Sequence, residues 1–286
     1  MGVPFSVECF AWRRYRQSMR NVPESLDPVV VAEIDDRLDR AGRENDVVIP
    51  WAIESGSRAW GFPSPDSDYD CRFIFVRPAA DYLSLWQKRD VIETPLDKIF
   101  DVNGWDLAKA LRLLVRGNVV LVEWLSSPII YRGDAGFRDD LLRLASEVSD
   151  PRLVGRHYLH VGRQQWPGPN AEVSLKKVFY AIRPAGALRW LRTHPGQATP
   201  PMDLPRLLEQ SNVEDEVVAE AMQLIATKAV TREIGTGQFP PALARFTQQE
   251  FELATASYED ASLVIRPENS KRVDEYFRSV IQQTTT

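Results

Sequence analysis

Two short apolar runs bracket a polar loop near the start of the chain, and that pattern constrains the fold more than any other. Residues 47–54 read VVIPWAIE and residues 68–76 read DYDCRFIFV. Both are of strand length and rich in β-branched and aromatic side chains, so they predict a pair of buried strands. Between them lies SGSRAWGFPSPDS, dense in Gly, Ser and Pro, which predicts a loop with at most a short helical turn. A buried strand pair needs other elements to cover it. Val29, Val30, Ile34 and Leu38 recur at helical spacing and predict a helix over 28–43. A short helix is expected at 79–86 and two more strands at 91–95 and 98–102. Leu107, Ala110, Leu111 and Leu114 form the stripe of a helix over 105–117, ended by Gly117. NVVLVEWLSS then reads as a shorter helix and PIIYR as an edge strand.

From about Gly136 onward helices follow alone, at 137–148, 150–165, 172–192, 204–210, 213–230 and near 271–282. Pro184 is expected to kink or break the fourth-to-last of these just after Arg183. Strands with helices first and helices afterwards argue an α/β (α+β) fold in two modules. The first, residues 1–135, is a small mixed-sheet domain; the second, residues 136–286, is all-helical.

Charge and cysteine usage narrow the function. A net charge of −5 over 286 residues excludes a generally basic nucleic-acid coat. Yet residues 151–192 hold eight Lys or Arg against Glu172 alone, which suggests one local anion-binding surface. Cys9 and Cys71 lack paired spacing and read as free thiols of a reducing cytoplasm. No apolar run nears the ~18 residues of a membrane-spanning helix, so no membrane partner is expected. Trp60, Trp105 and Trp124 read as core. The cluster Trp12-Arg13-Arg14-Tyr15-Arg16 suits either RNA contact or a capping helix.

The chemistry concentrates in Ser55–Asp70. Asp68 and Asp70 are two apart on a predicted strand, so both carboxylates leave one face. Two adjacent carboxylates repel unless a cation lies between them, and hard divalent cations take oxygen ligands, so the pair suits Mg²⁺ or Mn²⁺. Gly56 and Ser57 form a turn whose backbone N–H groups and hydroxyl suit phosphates. Arg58, directly behind, can add a charge-assisted contact. Phosphate donors followed by a metal-binding pair are what transfer from a nucleoside triphosphate requires. In SLKKVFYAIRPAGALRWLR, Lys176, Tyr180 and Arg183 share a helix face. Taken alone, that face reads as solvated.

The Gly56-Ser57…Asp68-x-Asp70 pattern resembles the signature of the DNA polymerase β-type nucleotidyltransferase superfamily. The wider segments GSRAWGFPSPDSDYDCRFIFV, DVNGWDLAKALRLLVRGN, VEWLSSPIIY and VSLKKVFYAIRP are similar to a bacterial and phage group of nucleotidyltransferases associated with RNA ligases in RNA repair. The resemblance implies a metal-dependent enzyme that moves a nucleoside monophosphate from an NTP, ATP being the one expected, to a hydroxyl, with pyrophosphate release. It implies an RNA end as acceptor and an RNA ligase as partner. A protein or small-molecule acceptor, and a non-catalytic nucleotide-binding regulator, stay open as alternatives. It also implies a third metal-binding and catalytic carboxylate. Asp101, at the end of an apolar strand, is the candidate, with Asp97 two residues earlier as the alternative. Asp106 reads instead as a first-turn helix residue. Finally, the resemblance implies that Lys176, Lys177, Tyr180 and Arg183 face the nucleotide.

Overall fold

The computed structural model describes residues 18–95, 97, 99–232 and 235–284. Cys9 and the aromatic-arginine cluster at 12–16 lie outside the described residues. Six strands form one mixed sheet: β1 (Ser18–Asn21), β2 (Val48–Glu54), β3 (Tyr69–Val76), β4 (Val91–Glu93), β5 (Phe100–Asp106) and β6 (Ile130–Asp134), in the order β1-β6-β2-β3-β5-β4. β3 and β5 run parallel; the other neighbours are antiparallel. The PIIYR segment is therefore not an edge. As β6 it pairs with both β1 and β2, because β1, which has no apolar pattern of its own, covers its outer side.

Alternation along each strand gives the sheet two buried faces. Ala52, Cys71, Phe73, Phe75, Val102 and Tyr131 pack under α1 (Pro28–Asn45). Trp51, Ile53, Ile74 and Val76 pack on the other side, against helices α4 (Leu107–Leu114), α5 (Val120–Leu125), α6 (Ala135–Val148) and α12 (Pro267–Thr284). The last helix of the chain thus returns to the sheet. β5 runs further than its sequence suggests, through Trp105, and the helix starts two residues late. Asp106 joins them without a loop, its carboxylate accepting the Ala108 N–H at 2.8 Å. Tyr82 and Arg77 also engage it, so Asp106 is structural.

A second core is built round α8 (Leu175–Thr193), with α7 (Pro151–Gln165), α9 (Leu204–Gln210), α10 (Asp215–Val230) and α11 (Pro241–Tyr258) packed about it. α8 does not end after Arg183. It continues through the buried Pro184 to Thr193. Val178, Phe179, Ile182, Ala185 and Leu188 are all buried there, which outweighs the roughly 3 kcal/mol cost of a helical proline. α11 has no clear apolar stripe, because Thr247 and Glu250 occupy buried positions on it. Glu250 is matched by Arg192 at 2.7 Å and Arg189 at 3.1 Å. A two-stranded sheet, β7 (Glu172–Ser174) with β8 (Thr236–Gln238), interrupts what sequence reads as helices alone. The two remaining short helices are α2 (Gly56–Ala59) and α3 (Ala79–Tyr82). Among the described residues no helix is long and apolar enough to cross a membrane.

Half of the cations in the basic stretch at 151–192 are taken up by ion pairs within the fold. Arg163 pairs with Glu259, Arg183 with Glu123, Arg189 with Glu214 and Glu250, and Arg192 with Glu250. Of the other four cations, Arg152 and Arg156 lie on α7, Arg156 donating to the Ala261 carbonyl, and the exposed Lys176 and Lys177 stand at the start of α8.

Candidate active site

β2 ends at Glu54, and the chain turns through Ser55 into α2. Gly56 sits at φ +58°, and a Cβ built on it would lie 1.9 Å from Asp70 Oδ2. The missing side chain is what lets the Asp70 carboxylate rest against the turn. The Ser55 N–H donates to the Asp70 carbonyl at 2.8 Å and ties the turn to β3. Ser57 Oγ donates to Ser67 Oγ at 2.9 Å, closing the loop at its base. Arg58 closes the same loop. Its guanidinium donates to the Ser67 carbonyl at 2.6 Å and the Asp68 carbonyl at 3.2 Å, and stands 4.0 Å over the Tyr69 ring.

Parallel pairing of β3 with β5 sets Asp70 directly opposite Asp101. Arg72 bridges them, with Nη2 at 3.1 Å from Asp70 Oδ1 and 2.6 Å from Asp101 Oδ2. Asn103 donates its amide to Asp101 Oδ1. Asp97 is drawn elsewhere, to Arg37 of α1 at 2.8 Å; that helix covers the other face. Of the two candidate third carboxylates, Asp101 is the one beside Asp70. Asp68 lies exposed just ahead of β3. Burial raises the Asp70 pKa above the usual carboxylate range; Arg72 opposes this, while Asp101 and Asp68 add to it and Lys176 reduces it.

Sequence reasoning missed two buried groups, one behind this pair and one beneath the adjoining loop. Glu54 is fully buried, with Oε1 accepting the Asp70 N–H at 3.0 Å and Oε2 accepting the Tyr131 hydroxyl at 2.7 Å. Burial pushes its carboxyl up to about 7. The signal was present in VVIPWAIE, where a glutamate closes an apolar run. Lys228 of α10 left no such signal. It is 2% exposed, and Nζ donates to the Phe62 carbonyl at 2.5 Å beneath the loop. Burial, then the Lys176 charge, pushes it down to about 8.

α8 forms the opposing wall. Tyr180 meets Trp60 edge-on at 5.9 Å and lines the same cleft as Asp70; burial, then the charges of Asp70 and Asp68, raise its pKa. Lys176 is exposed near Asp70, and Lys177 is exposed beside it with no partner among the described residues. Arg183 points away. It is buried against Glu123 at 2.5 Å, donates to the Met202 carbonyl at 3.0 Å and lies 4.5 Å over Trp60. Between the strands and this wall is a cleft of about 470 Å³, lined by Gly56, Trp60, Asp70, Arg72, Asn103 and Tyr180. Trp60 and Trp105, which read as core, border it together with the buried Trp124.

Among the described residues, no three His, Cys, Asp or Glu side chains form a ready cluster for a metal ion. The donor chemistry nevertheless fits a hard cation. Asp70 and Asp101 are paired oxygen donors, Asp68 adds charge nearby, and Arg72 alone supplies positive charge between the first two.

The model of a protein family described as "RNA repair pathway DNA polymerase beta family" (RlaP) matches residues 30–279. The chain is also 39% identical over 219 residues to the Uncharacterized protein YcgL of Bacillus subtilis (strain 168), covering 76% of this chain and 84% of that protein.

Proposed function

The chain belongs to the RNA repair pathway DNA polymerase beta family, and from that premise we propose that it transfers a nucleoside monophosphate from an NTP, ATP first, to the hydroxyl of an RNA end. The observation that carries this reading is the opposition of Asp70 and Asp101 across β3 and β5, beside a glycine whose missing Cβ houses Asp70. The two modules, 1–135 and 136–286, would then meet at the cleft, with α6 and α12 lending the sheet its second cover.

Asp70 and Asp101, with Asp68 at the rim, would hold Mg²⁺ or Mn²⁺, which when bound supplies Lewis-acid stabilisation of phosphoryl oxygens and favours the alkoxide of the acceptor. The first-turn N–H groups at Gly56 and Ser57 have no intrahelical acceptors and suit the β- and γ-phosphates. Arg58 and Ser57 keep that turn rigid through their loop bonds. Lys176 and Lys177 approach the triphosphate from α8. Tyr180 and Trp60 wall the cleft for a flat, hydrogen-bonding group such as a terminal nucleoside. Arg183 acts at a distance, fixing Trp60 and Glu123. Asp101 accepts the proton of the acceptor hydroxyl as its oxygen bonds to the α-phosphorus; the α–β bridging bond breaks and pyrophosphate leaves. An RNA ligase is the partner expected, on the ground of the family's RNA-repair description.

The test is pyrophosphate release with each NTP, Mg²⁺ or Mn²⁺ and mixed RNA, beside Asp70→Asn and Asp101→Asn. Release that needs RNA and falls about 10³-fold in either variant is expected. Release without RNA dependence moves the acceptor to a protein or small molecule. Metal-dependent NTP binding without release would replace the enzyme by a regulator.

A further inference from the structure

Arg72 makes contacts that a loaded site cannot keep. Nη2 is shared by Asp70 Oδ1 and Asp101 Oδ2, at 3.1 and 2.6 Å, while Nη1 donates to the carbonyls of Asp101 at 2.7 Å and Cys71 at 3.0 Å. All three side chains are less than a third exposed. The guanidinium holds one oxygen of each carboxylate, Asp70 Oδ1 and Asp101 Oδ2, and Asn103 holds Asp101 Oδ1, so a divalent cation that joins the two carboxylates must come up against the guanidinium. Two positive charges do not share that space. A second position for the guanidinium lies close by. Asn103 stands opposite Arg72 in the β3–β5 register. Its amide nitrogen is committed to Asp101, which turns Oδ1 away, and that oxygen is buried without a hydrogen-bond partner. A buried acceptor with no donor is costly to keep, and Arg72 is the adjacent cation with N–H groups to give. Both residues line the cleft.

We propose that Arg72 is a built-in competitor for the divalent cation. It occupies the Asp70–Asp101 pair in the unloaded protein and moves to Asn103 Oδ1 when the cation takes the pair. This rests on the metal-dependent reading above and adds the device that sets its affinity. Without the arginine, the two carboxylates face each other with no counter-charge, and their demand for a cation rises. Arg72 is thus a positioning residue, and it makes occupancy of the pair depend on whatever else in the cleft favours the cation, the triphosphate above all.

The experiment is Mn²⁺ binding to the full chain without nucleotide, by titration calorimetry and by electron paramagnetic resonance. The proteins are wild type, Arg72→Gln, Arg72→Lys, Asp70→Asn and Arg72→Gln/Asp70→Asn. Arg72→Gln is expected to bind Mn²⁺ at least about tenfold tighter, a change of roughly 1.4 kcal/mol, and Arg72→Lys to fall between. The gain should vanish in the double variant. Melting curves keep the test valid if Arg72→Gln is weakened: it should melt lower than wild type in EDTA and gain more from Mn²⁺. Crystals grown with Mn²⁺ should carry the guanidinium on Asn103 Oδ1. Binding that Asp70→Asn abolishes but Arg72→Gln leaves unchanged or weaker overturns this inference alone. So does a cation bound with Arg72 still on both carboxylates. Binding insensitive to Asp70→Asn in every background overturns the metal-dependent reading, and the inference with it.

Discussion

Gly56→Ala is the most searching single perturbation of this site, because two separable quantities follow from the one position. The residue sits at φ +58°, where an L side chain costs about 1–2 kcal/mol. The added Cβ would also meet Asp70 Oδ2 at 1.9 Å and Cγ at 2.8 Å, and contacts under 3.0 Å are not sustained. The carboxylate must therefore retreat by about 1.1 Å, and a displacement of that size in a reacting group costs about 10²-fold in turnover. Gly196 supplies the control, since it has φ +82° and nothing within 4 Å of the Cβ position. Urea unfolding should show Gly196→Ala losing about 1–2 kcal/mol and Gly56→Ala losing at least that, because it adds the displacement of Asp70 to the same backbone cost. Pyrophosphate release should fall at least about 10²-fold in the first and stay unchanged in the second. Full turnover in Gly56→Ala would refute the idea that Asp70 depends on that vacancy. Equal losses of turnover in both would show that backbone strain, not Asp70, is responsible.

Two further outcomes test the surroundings. Arg183→Leu strands the buried Glu123 carboxylate, so urea unfolding should record a loss of about 3–5 kcal/mol. A variant of undiminished stability with a raised KM for NTP would mean that Arg183 faces the triphosphate after all. Lys228 titrates near 8 in the fold against 10.5 ordinarily, so between those values the unfolded chain binds more protons. Stability from this group is full above about pH 10.5 and is lost as pH falls through about 8, so stability should rise with pH across that window. Lys228→Met should lack that rise, and equal slopes in both proteins would refute the assignment.

Local sequence was enough for the framework of the candidate site that lies close together along the chain. The apolar runs at 47–54 and 68–76, the turn at Gly56-Ser57 and the two-residue spacing of Asp68 and Asp70 all lie within thirty residues. Strand alternation and glycine's freedom act at that range, and the structure keeps the turn against β3. The choice between Asp97 and Asp101 was not legible. Both precede or enter the same strand, and only the β3–β5 register sets one beside Asp70 while α1 takes the other.

Composition misled where charge was counted without neighbours. Residues 151–192 carry a true excess of cations, but Glu123, Glu214, Glu250 and Glu259 reach them from outside that stretch and neutralise half. Arg72 passes in the sequence as an ordinary strand residue, and Lys228 as an ordinary helical one. Hydrophobic periodicity is a property of consecutive residues, so the chain by itself determined the central strands, most helices and the Gly-Ser turn, whereas Asp68 falls just ahead of β3 and does not share its strand with Asp70. Electrostatic pairing depends on separation in space and on burial, which bring together groups far apart along the chain, as in Arg163 with Glu259. That is why only the tertiary structure decided which carboxylates face one another, which cations are already spent, and which arginine lies between Asp70 and Asp101.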